Sequence, residues 1–138
     1  AQANTHEIAV TISRVKAVDK MDVFSKADFF ARVTIAGDGL ATARVRQQDD
    51  IQPNWKIVKR VAPGQHKIKL EILDKDATKD DPIDINKLDA KRDLDFTVNT
   101  RTCRIEGFSS TYKCGATISR AGRERKAAEV TFTVEVKK

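Results

Sequence analysis

The chain has few of the residues on which most enzyme chemistry depends. Its 138 residues include only two histidines and two cysteines. Neither His6 nor His66 lies near a serine or cysteine that the pattern would place in a cleft, so nucleophilic catalysis of the Ser-His-Asp kind is not expected. The two cysteines and two scattered histidines also lack the spacing of a zinc site. We therefore expect no enzymatic activity.

Long apolar runs and long amphipathic helices are absent as well. No apolar run approaches the roughly 18 residues that a membrane-spanning helix needs. A doubly wound α/β fold would require several long helices, and the one plausible helical piece is short, from Ile85 to Arg92. Aromatic residues make up 6% of the chain, and only Trp55 lies near the basic cluster between Lys56 and Lys69. Because nucleic-acid-binding modules usually combine basic and aromatic side chains, no nucleic-acid partner is expected.

What the sequence has instead is alternation of apolar and polar residues with a period of two. This pattern recurs from end to end and is typical of strands with one buried and one solvent-exposed face. Turn signals such as Gly37-Asp38-Gly39 and Pro63-Gly64 separate the strands. The sequence predicts one all-β domain over residues 1–138, an antiparallel Greek-key β-sandwich of about eight strands. The residues predicted to face its interior are Val10, Ile12, Val33, Ile35, Leu70, Ile72, Phe96, Phe132 and Val134.

Positive charge exceeds negative charge in this chain. Lysine and arginine number 26 against 20 acidic residues, a net charge of +6. This balance favours an anionic partner such as lipid headgroups or lipopolysaccharide. Several basic residues fall on successive predicted strands, where they could form one binding patch or simply keep an exposed sheet face soluble. The candidates for anionic-surface binding are Lys56, Lys59, Arg60, Lys67 and Lys69.

Two features bear on the compartment. The small polar residues Ala1-Gln2-Ala3 are typical of the position just after a signal-peptidase cut, so we expect a periplasmic or secreted protein. Cys103 and Cys114 are close enough in sequence to close a short loop. They would form a disulfide in an oxidising compartment and remain two thiols in a reducing one.

Aspartates gather at the ends of predicted strands. One group precedes Phe29 and the other follows the strand that ends at Leu73. Calcium is a hard cation that takes six to eight oxygen ligands, several of them from carboxylates. Aspartate is also common in solvated turns that bind nothing. The two groups are Asp19, Asp22 and Asp28, and Asp74, Asp76, Asp80 and Asp81.

Four short sequence elements, which include both groups of aspartates, together resemble the C2 domain, a calcium-dependent membrane-targeting module. Asp22 and Asp28, followed by two aromatic residues, resemble its first calcium loop. The other elements are the Gln52-Pro53-Asn54-Trp55 turn, the apolar strand that ends in Asp74-Lys75-Asp76, and Asp80-Asp81-Pro82-Ile83. Their order and separation agree with the family from about residue 7 to residue 98. The resemblance implies a C2-like sandwich of the family's second topology.

The resemblance also implies a calcium site and a function. Asp22 and Asp28 would be ligands from the first loop. The third loop would supply Asp74 and Asp76 together with Asp81, or Asp80 in its place because this loop is one residue short. The chain departs from the family where Asp84 replaces a glycine and where a cysteine-bounded hairpin follows Val98. The implied function is a secreted calcium-binding module that docks on an anionic surface.

The hairpin from Cys103 to Cys114 suggests a second interpretation. A disulfide at its base would present Phe108, Ser109, Ser110 and Tyr112 on a stiff tip. The segment Ser109-Ser110-Thr111-Tyr112 resembles the Ser-Gly-x-Tyr loop of periplasmic lysozyme inhibitors, with Ser110 in place of the glycine. This resemblance implies that Ser109 and Tyr112 bind a lysozyme. The other possibility is a purely structural hairpin.

Overall fold

The computed structural model describes residues 4–18, 27–46, 48–75, 80–88 and 90–138. This part of the chain consists of strands and connecting turns and contains no helix. It follows that no helix within these ranges is long and apolar enough to cross a membrane. The strands are β1 (His6–Ala17), β2 (Phe29–Ile35), β3 (Asp38–Ala41), β4 (Asp50–Ile51), β5 (Trp55–Val61), β6 (Gln65–Lys75), β7 (Asp80–Ile83), β8 (Leu94–Asn99), β9 (Arg104–Glu106), β10 (Tyr112–Lys113), β11 (Thr117–Ala121) and β12 (Ala128–Lys137).

The strands form two antiparallel sheets. In the first sheet, β12 lies between β11 and β1, and the other edge of β1 carries β5 and β4. In the second sheet the order is β10-β9-β8-β6-β2-β3, with β7 also paired to β6. The apolar faces of the two sheets pack on each other as a sandwich. All nine residues predicted to face the interior are at most 3% exposed, which confirms the alternation-based prediction.

The described part of the chain forms twelve strands, whereas alternation predicted about eight. The additional strands are short: β4 and β10 have two residues each, and β9 has three. Such pieces are too short for a period of two to be visible in the sequence, and they form only because a longer strand offers them an edge. Val45 lies outside these strands and makes an isolated bridge to Phe29.

The segment from Ile85 to Arg92, where the sequence made a short helix plausible, forms no helix in its described residues. The described residues of this segment form turns that side chains stabilise. The backbone N–H of Asn86 donates to the Asp84 carboxylate at 3.1 Å, and the backbone N–H of Leu88 donates to the Asn86 side-chain oxygen at 2.9 Å. Because short polar side chains offer the backbone partners other than helical carbonyls, they compete with helix formation.

The cysteine-bounded segment forms a hairpin at the edge of the second sheet. Strand β9 pairs with β8 on one side and with β10 on the other. Cys103 and Cys114 are joined by a disulfide, with 5.2 Å between their Cα atoms. The disulfide expected in an oxidising compartment is therefore present, and it closes the base of the hairpin.

Candidate functional site

Three of the predicted calcium ligands lie together at one rim of the second sheet. In the strand register Asp74 of β6 is opposite Phe29 on one side and opposite Asp81 of β7 on the other. The backbone N–H of Asp28 donates to the Asp74 carboxylate at 2.9 Å, and the N–H of Lys75 donates to the Asp28 carbonyl at 2.9 Å. We call Asp28, Asp74 and Asp81 the acidic rim.

The remaining predicted ligands have different positions. Asp22 and Asp76 lie outside the described residues. Asp80 is opposite Lys75 in the register, and its carboxylate is 3.4 Å from the Lys75 ammonium. Directly paired strand residues share one face of the sheet, so Asp81 and not Asp80 shares a face with Asp74. Of the two alternatives that the sequence left open, the geometry favours Asp81.

The charges of the acidic rim act on one another. Partial burial raises the pKa of the Asp74 carboxyl, and the neighbouring Asp28 and Asp81 carboxylates raise it further. The hydrogen bond from the Asp28 N–H and the positive charge of Lys126 both oppose this rise. Arg44 adds a further cation, with its guanidinium 4.0 Å from the Asp28 carboxylate. The rim is thus crowded with negative charge that nearby cations partly offset.

The carboxylates of the acidic rim are suitable ligands for a hard cation, but the described residues do not form a complete metal-binding site. Carboxylate oxygens are the ligands that calcium prefers. Among the residues that the structure describes, however, no three histidine, cysteine or acidic side chains are grouped so that they could hold a metal ion. The Lys126 ammonium lies 3.0 Å from the Asp81 carboxylate, where a cation would be expected. The described carboxylates are therefore of the ligand type that calcium prefers. The other two predicted ligands, Asp22 and Asp76, are outside the described residues.

One important residue near the rim was missed as an interaction site by the sequence analysis. Asp84 is completely buried, and its carboxylate accepts hydrogen bonds from the backbone N–H groups of Asn86, Arg123 and Glu124. These bonds tie it to the 122–127 loop, which connects β11 to β12. The only sequence signal was the departure from glycine at this position of the C2 pattern. The 122–127 loop lies some forty positions along the chain and could not be identified as the partner.

The basic residues predicted to bind an anionic surface do not form one patch. They were expected on neighbouring strands, but β5 belongs to the first sheet and β6 to the second. Lys56 and Arg60 therefore lie on the outer face of one sheet, while Lys67 and Lys69 lie on the outer face of the other. Lys59 is at the edge between the sheets, where its ammonium is 2.5 Å from the Asp38 carboxylate.

The two faces differ in shape. Lys67 and Lys69 line an open groove of about 610 Å³ on the second sheet, together with Thr34 and the acidic residues Asp95 and Glu106. On the first sheet, Lys56 and Arg60 flank Val58, which is 44% exposed. We call the first pair the groove lysines and the second pair the β5 cations.

The hairpin places its aromatic residues differently from the sequence-based expectation. Phe108 packs against Phe96, with ring centroids 5.3 Å apart, and contacts Tyr112 edge-on at 6.0 Å. The Arg120 guanidinium lies 4.7 Å from the centre of the Phe108 ring and donates to the Tyr112 hydroxyl at 2.9 Å. Both rings are half-buried, and the exposed residues of the tip are Gly107, Ser109, Ser110 and Thr111. A lysozyme-binding role for Ser109 and Tyr112 stays a prediction.

Several solved structures share this fold. A structure described as that of a C2 domain has a TM-score of 0.65 and 13% identity, covering 96% of this chain and 99% of its own. Extended-Synaptotagmin 2, in a calcium-bound structure of two of its C2 domains, gives a TM-score of 0.63 at 10% identity, covering 94% of this chain and 45% of its own. Human GIVD cytosolic phospholipase A2 gives 0.58 at 16% identity, with 96% of this chain but only 18% of the phospholipase covered.

Sequence comparison identifies the family. No curated protein sequence matches the chain. The family model of the C2 domain matches residues 6–102, which is well over half of the chain and includes every strand that contributes to the acidic rim. The matched segment ends before the hairpin closed by Cys103 and Cys114. The chain therefore belongs to the C2 domain family.

Proposed function

We propose that this chain is a calcium-binding C2 module that docks on an anionic surface such as lipid headgroups and that catalyses no reaction. The observation that carries the proposal is the convergence of Asp28, Asp74 and Asp81 at one rim of a C2 fold. Calcium-bound domains of Extended-Synaptotagmin 2 share this fold, which supports the assignment.

The ligands that we propose are the three carboxylates of the acidic rim, together with Asp22 and Asp76. Calcium would relieve the mutual repulsion of these carboxylates, because the ion brings two positive charges to a cluster of negative ones. Loss of that negative potential would let a chain with a net charge of +6 approach an anionic surface at this end. The ion would therefore both hold the carboxylates together and remove their negative potential.

The groove lysines are the basic residues that we propose for the surface contact. Lys67 and Lys69 are exposed side by side on one strand and line a groove that could take a headgroup. Lys69 is 3.4 Å from the Asp93 carboxylate, so a phosphate would compete with that partner. The β5 cations face away from this groove and could not touch the same flat surface.

The disulfide supports a periplasmic or secreted location. Disulfides persist in oxidising compartments and are rare in cytosolic proteins. We therefore propose that Cys103 and Cys114 are oxidised in the native protein. Alkylation of the unfolded protein, isolated without reductant from its host, would detect no free thiol if this is correct, and two free thiols per chain would contradict it.

Vesicle sedimentation tests the proposed function directly. Phosphatidylcholine vesicles with and without phosphatidylserine would be mixed with the protein in calcium or in a chelator. We expect the protein to pellet only with the phosphatidylserine vesicles in calcium. Equal pelleting in calcium and in chelator would refute the calcium dependence, and equal pelleting with both vesicle types would refute the anionic preference.

A further inference from the structure

Among the residues that the structure describes, the cation nearest to the acidic rim is Lys126. The Lys126 ammonium is 3.0 Å from the Asp81 carboxylate, and its side chain is 24% exposed. Its positive charge also acts on Asp74, the central carboxylate of the rim. A single amine therefore offsets negative charge on two of the carboxylates that we propose as calcium ligands.

Lys126 is held in this position by its own backbone. Its φ is +58°, in the left-handed region that residues other than glycine adopt only when their surroundings require it. The Lys126 carbonyl accepts a hydrogen bond of 2.9 Å from the backbone N–H of Asp84. The carbonyl of Asp84 in turn accepts from the N–H of Ala128 at 2.9 Å. The backbone of Asp84 is thus bonded to both ends of the short segment that runs from Lys126 to Ala128.

The Asp84 side chain fixes the rest of the 122–127 loop. Its carboxylate accepts from the N–H of Arg123 at 3.1 Å and from the N–H of Glu124 at 2.9 Å. The loop approaches so closely that a Cβ on Gly122 would lie 2.1 Å from the Asp84 carbonyl oxygen, so only glycine fits there. We call Asp84 and the loop it holds the clasp.

We propose that Lys126 is a tethered cation that competes with calcium for the acidic rim, and that Asp84 is the positioning residue that aims it. The inference rests on the proposed function and adds its regulation. Calcium can take Asp81 as a ligand only after the ammonium has moved away, so the tethered amine weakens calcium binding. In the absence of calcium the same amine stabilises the rim by offsetting its negative charge.

Displacement of the amine would have a second effect. The clasp holds only the backbone of Lys126, so the side chain is free to swing out once calcium takes its place. The net charge of this end then rises only by the two charges of the ion, because the ammonium was already present at the rim. The displaced ammonium no longer pairs with Asp81, however, so it becomes available to pair with an anionic surface next to the rim.

Substitution of the lysine separates competition from general charge effects. Lys126→Met keeps the length and apolar stem of the side chain, removes the charge, and leaves the backbone requirement unchanged. Lys59→Met is the matched control, because Lys59 is also partly buried, with a side chain 29% exposed, and also pairs with one aspartate, away from the rim. Both variants change the net charge equally.

Calcium affinity and stability without calcium are the two readouts. By calorimetric titration we expect Lys126→Met to bind calcium about ten-fold more tightly than the unchanged protein, while Lys59→Met binds it with unchanged affinity. In chelator we expect Lys126→Met to have a lower melting temperature than the unchanged protein. A general loss of stability would weaken calcium binding and not strengthen it, so the combination is specific to a tethered cation.

The positioning role of Asp84 has its own test. Asp84→Asn removes the carboxylate charge that attracts the N–H groups, so the loop should loosen and calcium affinity should rise, though by less than in Lys126→Met. If Asp84 acts through the lysine, the double variant should bind calcium no more tightly than Lys126→Met alone. Additive gains in affinity would overturn the positioning role.

The outcomes distinguish the inference from the proposed function. Calcium binding by the unchanged protein with no gain in Lys126→Met would overturn the tethered cation and leave the proposed function standing. Calcium binding by Lys126→Met but not by the unchanged protein would show that the lysine prevents calcium binding altogether, which would also support the inference. Failure of all the proteins to bind calcium would overturn the proposed function and the competition together.

Discussion

The backbone N–H of Asp28 donates to the Asp74 carboxylate at 2.9 Å, so a residue proposed to bind calcium also joins two strands of the sheet. This bond links the start of β2 to the end of β6, and the N–H of Lys75 returns a bond to the Asp28 carbonyl. The acidic rim is therefore part of the hydrogen-bonded frame of the domain, and we expect changes there to affect stability as well as any calcium binding.

Replacement of Asp74 should have opposite effects on stability and on calcium binding. In Asp74→Asn the side-chain oxygen still accepts the N–H of Asp28, while the repulsion from Asp28 and Asp81 is removed. We expect the melting temperature in chelator to rise by about 2 °C. Calcium should raise the melting temperature of the unchanged protein by mass action and leave that of the variant unchanged.

The control for this change is Asp38→Asn, which removes a carboxylate that pairs with Lys59 and lies outside the rim. That variant should keep its full thermal response to calcium. A calcium response in Asp74→Asn as large as in the unchanged protein would show that the rim is not the binding site.

The raised pKa of Asp74 predicts a pH dependence of stability. Its ordinary value is 3.8, and burial together with two carboxylate neighbours raises it in the folded protein. The folded state therefore holds this proton more tightly than the unfolded state. The stability contributed by Asp74 is fully present below 3.8 and is lost as the pH rises through the raised pKa.

Thermal unfolding in chelator between about pH 4 and pH 7 measures this effect. The advantage in melting temperature of Asp74→Asn over the unchanged protein should be small at the acidic end and grow as the pH rises. An advantage that is constant across this range would mean that the Asp74 carboxyl does not titrate within it.

The separation of the two basic faces predicts which charges matter for docking. Lys67→Gln with Lys69→Gln removes the groove lysines, and we expect it to weaken binding to phosphatidylserine vesicles roughly ten-fold or more, since each basic residue near a membrane contributes about 1 kcal/mol. Lys56→Gln with Arg60→Gln removes the same charge from the opposite face. That control should bind vesicles with nearly unchanged affinity.

A larger loss of vesicle binding in the Lys56→Gln and Arg60→Gln double variant would place the docking surface on the first sheet. Equal effects in the two pairs would indicate attraction by net charge alone, without a defined face. Circular dichroism of both double variants should be unchanged, because all four side chains are on outer sheet faces.

The hairpin contacts predict that Tyr112 has a structural role. Tyr112→Phe removes the hydrogen bond from Arg120 and keeps the ring contact with Phe108, so we expect a loss of about 1 kcal/mol in the free energy of unfolding. Ser109→Ala changes an exposed residue and should stay within about 0.5 kcal/mol. Chemical denaturation of both variants measures these values.

The same two variants test the lysozyme alternative. Inhibition of invertebrate-type, chicken-type or goose-type lysozyme by the unchanged protein, lost in both variants, would support a binding role for the Ser109–Tyr112 loop. Absence of inhibition against all three enzymes would leave the hairpin a structural element.

The inner faces of the sandwich could be predicted because they follow from local spacing. Val33 and Ile35 lie two positions apart on one strand, and Leu70 and Ile72 lie two positions apart on the strand that pairs with it. A strand places alternate side chains on one face whatever its neighbours are, so the period of two is sufficient. The aspartates of the acidic rim were predicted on a different basis, because they match the C2 pattern although Asp28 and Asp74 lie far apart in the chain.

The assignment of strands to sheets was not available from local spacing. Strands β5 and β6 are consecutive in the chain and both carry lysines, yet they belong to different sheets. Which edge a strand joins depends on the packing of the whole sandwich, so the five basic residues were wrongly expected on neighbouring strands. The short strands β4 and β10 have the same origin, because they exist only where a longer strand provides an edge.

The amino-acid sequence by itself determined the all-β class and the interior residues, because each depends on residues close together in the chain. The tertiary structure alone decided that Asp84 holds the 122–127 loop and that Lys126 reaches Asp81. These contacts join residues some forty positions apart, and no periodicity or motif relates them. Folding brings the two segments together by packing the sheets, and only then can a buried carboxylate and a distant lysine act on the same site.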